Sequence, residues 1–124
     1  MGAPVVHVEV RGLDSERLRT FYRDMFGWEP DPALSIGDYA VLPLDDATLT
    51  AATGPVPQWS TQSCTFFIQV DDIDATLARI ERAGGQAVMP KQESPPDFPA
   101  KHLRVFTKFV DPAGNVVGLV ERPP

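Results

Sequence analysis

Two polar side chains interrupt an otherwise apolar strand. The segment VVHVEVR, residues 5–11, places His7 and Glu9 two residues apart. On a strand that spacing puts both on one face, with Cβ atoms roughly 6–7 Å apart. A carboxylate near an imidazole can orient the ring, raise its pKa and make it a proton acceptor or a hydrogen-bonding anchor. His7 and Glu9 are therefore the candidate catalytic residues. The alternative reading keeps both as cavity-lining groups, bonded to each other or to water. His102, the only other histidine, follows the proline-rich run MPKQESPPDFPAKH and is expected in solvent. Cys64 is the single cysteine, so no intrachain disulfide can form. It is expected on a buried strand face beside Phe66, as an inert thiol. The chain carries no phosphate-binding glycine loop, dinucleotide fingerprint or nucleophile elbow.

The strand bearing His7 opens a unit that the chain repeats. Residues 5–29 and 64–88 each read as an alternating strand, an acidic junction, an amphipathic helix and a glycine stop. Asp14 and Asp74 are the expected N-caps, and Gly27 and the Gly84–Gly85 pair the expected C-terminal stops. In the first strand Val6, Val8 and Val10 oppose Val5, His7, Glu9 and Arg11. In the later one Cys64, Phe66, Ile68 and Val70 oppose Thr65, Phe67 and Gln69. The more apolar face should pack under a helix, and the mixed face should line a concavity. Leu18, Phe21, Tyr22, Met25 and Phe26 form one apolar stripe at helical spacing, and Leu77, Ile80 and Ala83 a thinner one. Asp-Pro-Ala-Gly (111–114) predicts a tight turn joining two strands. A second hairpin is expected from Tyr39–Leu44 and Thr48–Ala52. The predicted fold is α+β: two βαβββ modules, about 4–54 and 64–122, joined by a linker at about 53–63. Their curved mixed sheet should surround a cup, within one domain spanning 1–124. Thirteen prolines punctuate the chain, four of them in the 90–99 loop.

Composition bounds the partners. The net charge of −6 argues against nucleic acid and anionic membrane surfaces. No apolar run approaches a membrane span, and no secretory leader is visible, so a cytoplasmic protein is expected.

Four segments together, VVHVEV, FYRDMFGW, FIQVDDIDATLARIERAGGQAVMPK and FVDPAGNVVGLVE, resemble the vicinal oxygen chelate superfamily. That group includes glyoxalase I, extradiol dioxygenases and the bleomycin and fosfomycin resistance proteins. The likeness covers nearly the whole chain and is strongest to bacterial glyoxalase-like proteins. It implies paired βαβββ modules around a cup, and homodimers are common among two-module members. Trp59 and the sheet edges are the expected dimer contacts. Metal-dependent members hold a divalent ion with four ligands, one from the first and last strand of each module. The resemblance places those positions at His7, Thr50, Thr65 and Gly118. Only His7 is a strong ligand, so no metal or other cofactor is expected. The expected ligand site is His7, Glu9, Thr50, Thr65, Phe67 and Gly118, with Glu9 the main fixed charge and Gly118 leaving extra depth. A cationic or hydrogen-bond-donating ligand would suit it. The expected function is metal-free binding of a small organic molecule, as in bleomycin resistance proteins. Two alternatives stand beside it. One is a glyoxalase-type lyase or isomerase using His7 and Glu9, or a metal held by unusual ligands. The other is a non-catalytic dimeric accessory module.

Overall fold

The computed structural model describes residues 2–33, 35, 37–43, 49–56, 62–96 and 103–123. Strand β1 (Val5–Gly12) leads into helix α1 (Ser15–Phe26). Strands β2 (Ala40–Pro43), β3 (Thr50–Pro55) and β4 (Gln62–Val70) follow, then helix α2 (Ile73–Arg82). Short strands β5 (Gln86–Ala87) and β6 (Gln92–Glu93) precede β7 (Val105–Val110) and β8 (Val116–Glu121). The fold is α+β, as the periodicities predict. Trp59, Phe98 and His102 lie outside the described residues. The chain divides into two compact units, His7–Thr65 and Phe66–Pro124 together with Met1–Val6.

In the His7–Thr65 unit, β1 runs parallel to β3, with His7 beside Thr50 and Glu9 beside Ala52. Strand β2 runs antiparallel to β3, which is the expected first-half hairpin. Val41, Leu42, Ala51 and Ala52 are buried. Among the described residues this unit is βαββ, one strand short of the expected order. Asp31 and Ser35 each meet β2 at one point. Asp31 N–H donates to the Val41 carbonyl, and Val41 N–H donates to Ser35 Oγ. Pro30 and Pro32 have no N–H to give a ladder.

Helix α1 starts where predicted, with the Asp14 carboxylate accepting the Arg17 N–H at 3.0 Å. It stops at Gly27, whose φ of 69° is the left-handed conformation that glycine adopts without strain. The expected apolar stripe is not buried. Leu18 and Tyr22 are half-buried, Phe21, Met25 and Phe26 are exposed, and no α1 residue is fully buried. Helix α1 rests on β3. That strand reads Thr-Ala-Ala-Thr-Gly-Pro and offers no large side chain for a helix to interdigitate with. At the helix end the Tyr22 and Trp28 rings stack with centroids 5.0 Å apart.

In the other unit, β4 runs parallel to β8 and β8 antiparallel to β7. Strands β5 and β6 both pair with β7, so they act as one strand interrupted around Pro90. Here the βαβββ order holds. The β7–β8 turn closes as predicted, with Gly114 N–H donating to the Asp111 carbonyl at 3.0 Å. Gly114 sits at φ 92°, open to glycine and closed to most side chains. The N-cap of α2 is Asp72, not Asp74: its carboxylate accepts the Ala75 N–H at 3.0 Å. The reason is Ile73, fully buried, whose anchoring fixes the first helical residue. Glu121 supports the same end by accepting the Ile73 N–H at 2.9 Å. Asp74 points outward and pairs with Lys91 at 2.7 Å.

The faces of β4 are the reverse of the expectation. Thr65 and Phe67 are buried, whereas Cys64 and Phe66 are exposed. Each face carries a phenylalanine, so alternation alone did not choose between them. Position 118 decides, because the ring of Phe67 lies against Gly118, where any side chain would collide with it.

Candidate functional site

The parallel register of β1 and β3 brings His7 against Thr50, and their side chains meet, Nδ1 to Oγ1, at 2.6 Å. The other ring nitrogen, Nε2, lies 2.8 Å from the hydroxyl of Tyr39, which sits just before β2. The same hydroxyl donates to Glu9 Oε2 at 3.0 Å. Arg11, two residues along β1 from Glu9, adds the cation. Its Nη2 donates to Glu9 Oε2 at 3.2 Å and its Nη1 to the Pro55 carbonyl at 3.2 Å. Its Nε lies 3.1 Å from Glu9 Oε1, an ion-pair distance without hydrogen-bond alignment. The guanidinium carbon also stands 5.2 Å over the Tyr39 ring. One connected network thus runs Thr50–His7–Tyr39–Glu9–Arg11.

The protons in this network are constrained. Tyr39 O–H donates to Glu9, so its oxygen must accept from His7 Nε2–H. In the neutral imidazole Nδ1 then accepts from the Thr50 hydroxyl; in the imidazolium it donates instead. Tyr39 is held as a neutral phenol. Burial pushes its pKa well above the ordinary 10.0, the Glu9 charge and hydrogen bond push it further, and Arg11 opposes them. His7 and Glu9 are fully buried at 0% and 1% exposure, whereas 22% of the Arg11 side chain reaches the surface. His7 and Glu9 do not bond directly, as the cavity-lining reading allowed; Tyr39 bridges them.

Of the expected site residues, His7, Glu9 and Thr50 are joined by this network. Thr65 is buried on β4. Phe67 and Gly118 are register partners in the other unit and touch each other. The room expected at Gly118 is filled by the Phe67 ring. Lys108, opposite Gly118 on β7, is buried with its ammonium 5.7 Å from the Phe67 ring centre. Tyr39, Arg11 and Lys108 are not among the residues expected from the sequence, yet Tyr39 and Arg11 join the network and Lys108 lies over Phe67. Arg11 was detectable, sharing the strand face of His7 and Glu9. Nothing local marks Tyr39, which reaches β1 only through the hairpin. Among the described residues no three His, Cys, Asp or Glu side chains converge as a metal site requires. A separate open groove of about 640 Å³ runs along α2, lined by Ala3, Val70, Arg79 and Ile80 among others.

Comparisons with known proteins bear on this geometry. A family model described as a glyoxalase-like domain matches residues 7–120. A glyoxylase-like domain-containing protein of Didymella fabae is 28% identical over 123 residues, covering 94% of this chain and 91% of that one. The glyoxylase-named protein CFP32 of Mycobacterium bovis is 26% identical over 118 residues, 90% of this chain. The chain spans less than half of that relative, 43% of its length. Among solved structures, methylmalonyl-CoA epimerase from Mycobacterium tuberculosis aligns with a TM-score of 0.67 and 18% identity. The alignment covers 100% of this chain and 94% of that one. A glyoxalase/bleomycin resistance protein/dioxygenase superfamily member from Vibrio splendidus aligns at 0.59 and 17% identity, covering 98% and 100%. At such identities the structural likeness establishes the fold.

Proposed function

This chain belongs to the glyoxalase-like domain family, and we propose that it uses the β1 network to bind a small organic molecule without a coordinated divalent metal. One observation carries the reading. Both ring nitrogens of His7 are committed, to Thr50 and to Tyr39. The Glu9 carboxylate is held by Tyr39 and Arg11. An ion ligated by His7 would have to break one of these bonds in a buried site. It would find a threonine on the paired strand as its nearest protein partner, a poor ligand for such ions. The residues present do not fit the divalent centre of the metal-dependent relatives.

The ligand chemistry follows from which members of the network reach solvent. Arg11 pairs with Glu9, so the carboxylate charge is already matched and gives a cation little to gain. The groups with exposed surface are Arg11, Tyr39 and Thr50. The ligand class is therefore a molecule presenting a carbonyl, carboxylate or other oxygen acceptor, the reverse of the cationic ligand expected from Glu9 alone. Metal content and a thermal-shift screen test the proposal together. The purified protein should hold far less than one divalent ion per chain, and chelator should leave Tm unchanged. Oxygen-acceptor compounds should raise Tm, by roughly 2.7 kcal/mol of stabilisation at 100 times Kd, and Arg11→Ala should weaken them. One metal per chain, lost in His7→Ala, would overturn the metal-free reading. Ligand stabilisation lost in Arg79→Ala and kept in Arg11→Ala would move the site to the α2 groove.

A second reading is favoured by the continuity of the hydrogen bonds. His7, Tyr39 and Glu9 form an unbroken path along which a proton could pass, as a lyase or isomerase requires. Solvent-deuterium incorporation into a bound carbonyl compound, dependent on Tyr39, would support it. Binding without exchange would leave simple sequestration.

A further inference from the structure

The groove along α2 has a volume of about 640 Å³, within the range of small-molecule sites. One side of it is a single face of the helix, from the N-cap Asp72 to the C-cap Ala83. At the helical rise per residue that face is about 16 Å long. Ala3, Val70 and Asp71 complete the lining, and every lining residue belongs to the same compact unit. These walls are tied down by backbone hydrogen bonds. Gln69 N–H donates to the Pro4 carbonyl beside Ala3, and Arg122 N–H to the Val70 carbonyl, both at 2.9 Å. The groove is therefore formed before anything enters it.

Its polar groups choose the ligand. Asp71 lies 3.3 Å from Arg122, an ion pair. The Asp72 carboxylate accepts the Ala75 N–H at 3.0 Å, and the Thr76 hydroxyl donates to the Asp72 carbonyl at 2.7 Å. Arg79 is different: among the described residues its side chain makes no hydrogen bond and no ion pair. It stands about 10 Å along the helix from Asp72, beyond the Debye length of roughly 8 Å in physiological salt. The capping carboxylate therefore does little to satisfy it. A guanidinium presents two parallel N–H groups, which match the two oxygens of a carboxylate. The remaining lining, with Val70, Ala75 and Ile80 among it, is apolar. An uncommitted cation set in an apolar groove complements an anion that carries an apolar body.

We propose that the α2 groove is a second binding site, for a carboxylate carried on an apolar chain, with Arg79 holding the carboxylate and Val70, Ala75 and Ile80 covering the chain. It does not depend on what the β1 network binds. Octanoate is the probe. Titrated calorimetrically into the full chain, it should saturate at one molecule per chain. Arg79→Ala should raise its Kd at least about tenfold, and Ala75→Trp should block it by filling the groove. Both variants should keep the fold by circular dichroism, because both positions are exposed. Octylammonium, with the same chain and the opposite charge, should bind at least about tenfold more weakly. In nuclear magnetic resonance spectra octanoate should move the amide signals of Ala75, Arg79 and Ala83. Acetate, which lacks the chain, should leave them in place. Absence of octanoate binding, or equal binding by Arg79→Ala, would overturn the proposal. So would octylammonium binding as tightly as octanoate. Shifts confined to residues 7–11 would seat octanoate in the β1 network, overturning the groove site and leaving that reading intact.

Discussion

A carboxylate removed from water keeps its charge only if other groups replace the water, and for Glu9 these are Arg11 and Tyr39. That makes Glu9 a structural anchor, whatever its part in binding. Tyr39→Phe removes the acceptor of His7 Nε2–H and one donor to Glu9, in a setting where both are buried. It should cost about 1–3 kcal/mol in urea denaturation. Glu9→Gln should also cost on the order of 1–3 kcal/mol, discounted because Arg11 is partly solvated. A Glu9→Gln protein as stable as the native one would show that the cost of burying the carboxylate offsets what its pair with Arg11 contributes. The sequence makes His7, Glu9 and Arg11 legible as one face of one strand. It cannot show Tyr39, because the contact depends on a hairpin folding back by more than thirty residues. Without Tyr39 and the Arg11 pairing, Glu9 looks like an open charge, which is why a cationic ligand was expected.

At the level of elements, alternation gave the strands, and capping chemistry gave the helix limits to within two residues. Which face turned inward was harder. On β4 the two faces differ little in apolarity, and the choice fell to a residue fifty positions away, Gly118. Gly118→Ala should therefore be destabilising by about 1–3 kcal/mol, because Phe67 must leave its rotamer or the strands must part. Gly118→Ala together with Phe67→Leu should recover part of that loss, measured in the same denaturation experiment. The α2 cap offers a cleaner discrimination. Asp72→Ala should cost about 1 kcal/mol, and Asp74→Ala, which loses only an exposed pair with Lys91, less than about 0.5 kcal/mol. Equal costs would return the N-cap to Asp74. The helix start was misplaced because two acidic residues compete within three positions, and buried Ile73 decides between them.

For the whole chain, the half-length repeat was legible and the α+β architecture followed from it. What no local pattern revealed was the broken strand around Pro90, the single-point pairing of Asp31 and Ser35, and an amphipathic helix left exposed. Amphipathicity shows that a face seeks cover, not what covers it. No helix among the described residues is long and apolar enough to cross a membrane. Stability should depend on alkaline pH through Tyr39. Folding raises its pKa above the unfolded value of 10.0, so the folded chain holds that proton more tightly. Its contribution is complete below pH 10 and is lost as pH rises beyond it, with a slope of at most about 1.4 kcal/mol per pH unit. Thermal melts of the native chain should show this loss above pH 10, and Tyr39→Phe should lack that component.

The proton on His7 Nε2 also keeps time. It lies between an imidazole with no exposed surface and the Tyr39 oxygen, so water replaces it only when that contact opens. Such a ring proton persists in a nuclear magnetic resonance spectrum where that of a solvated histidine is erased by exchange. Its lifetime in heavy water would report how often the His7–Tyr39 contact opens.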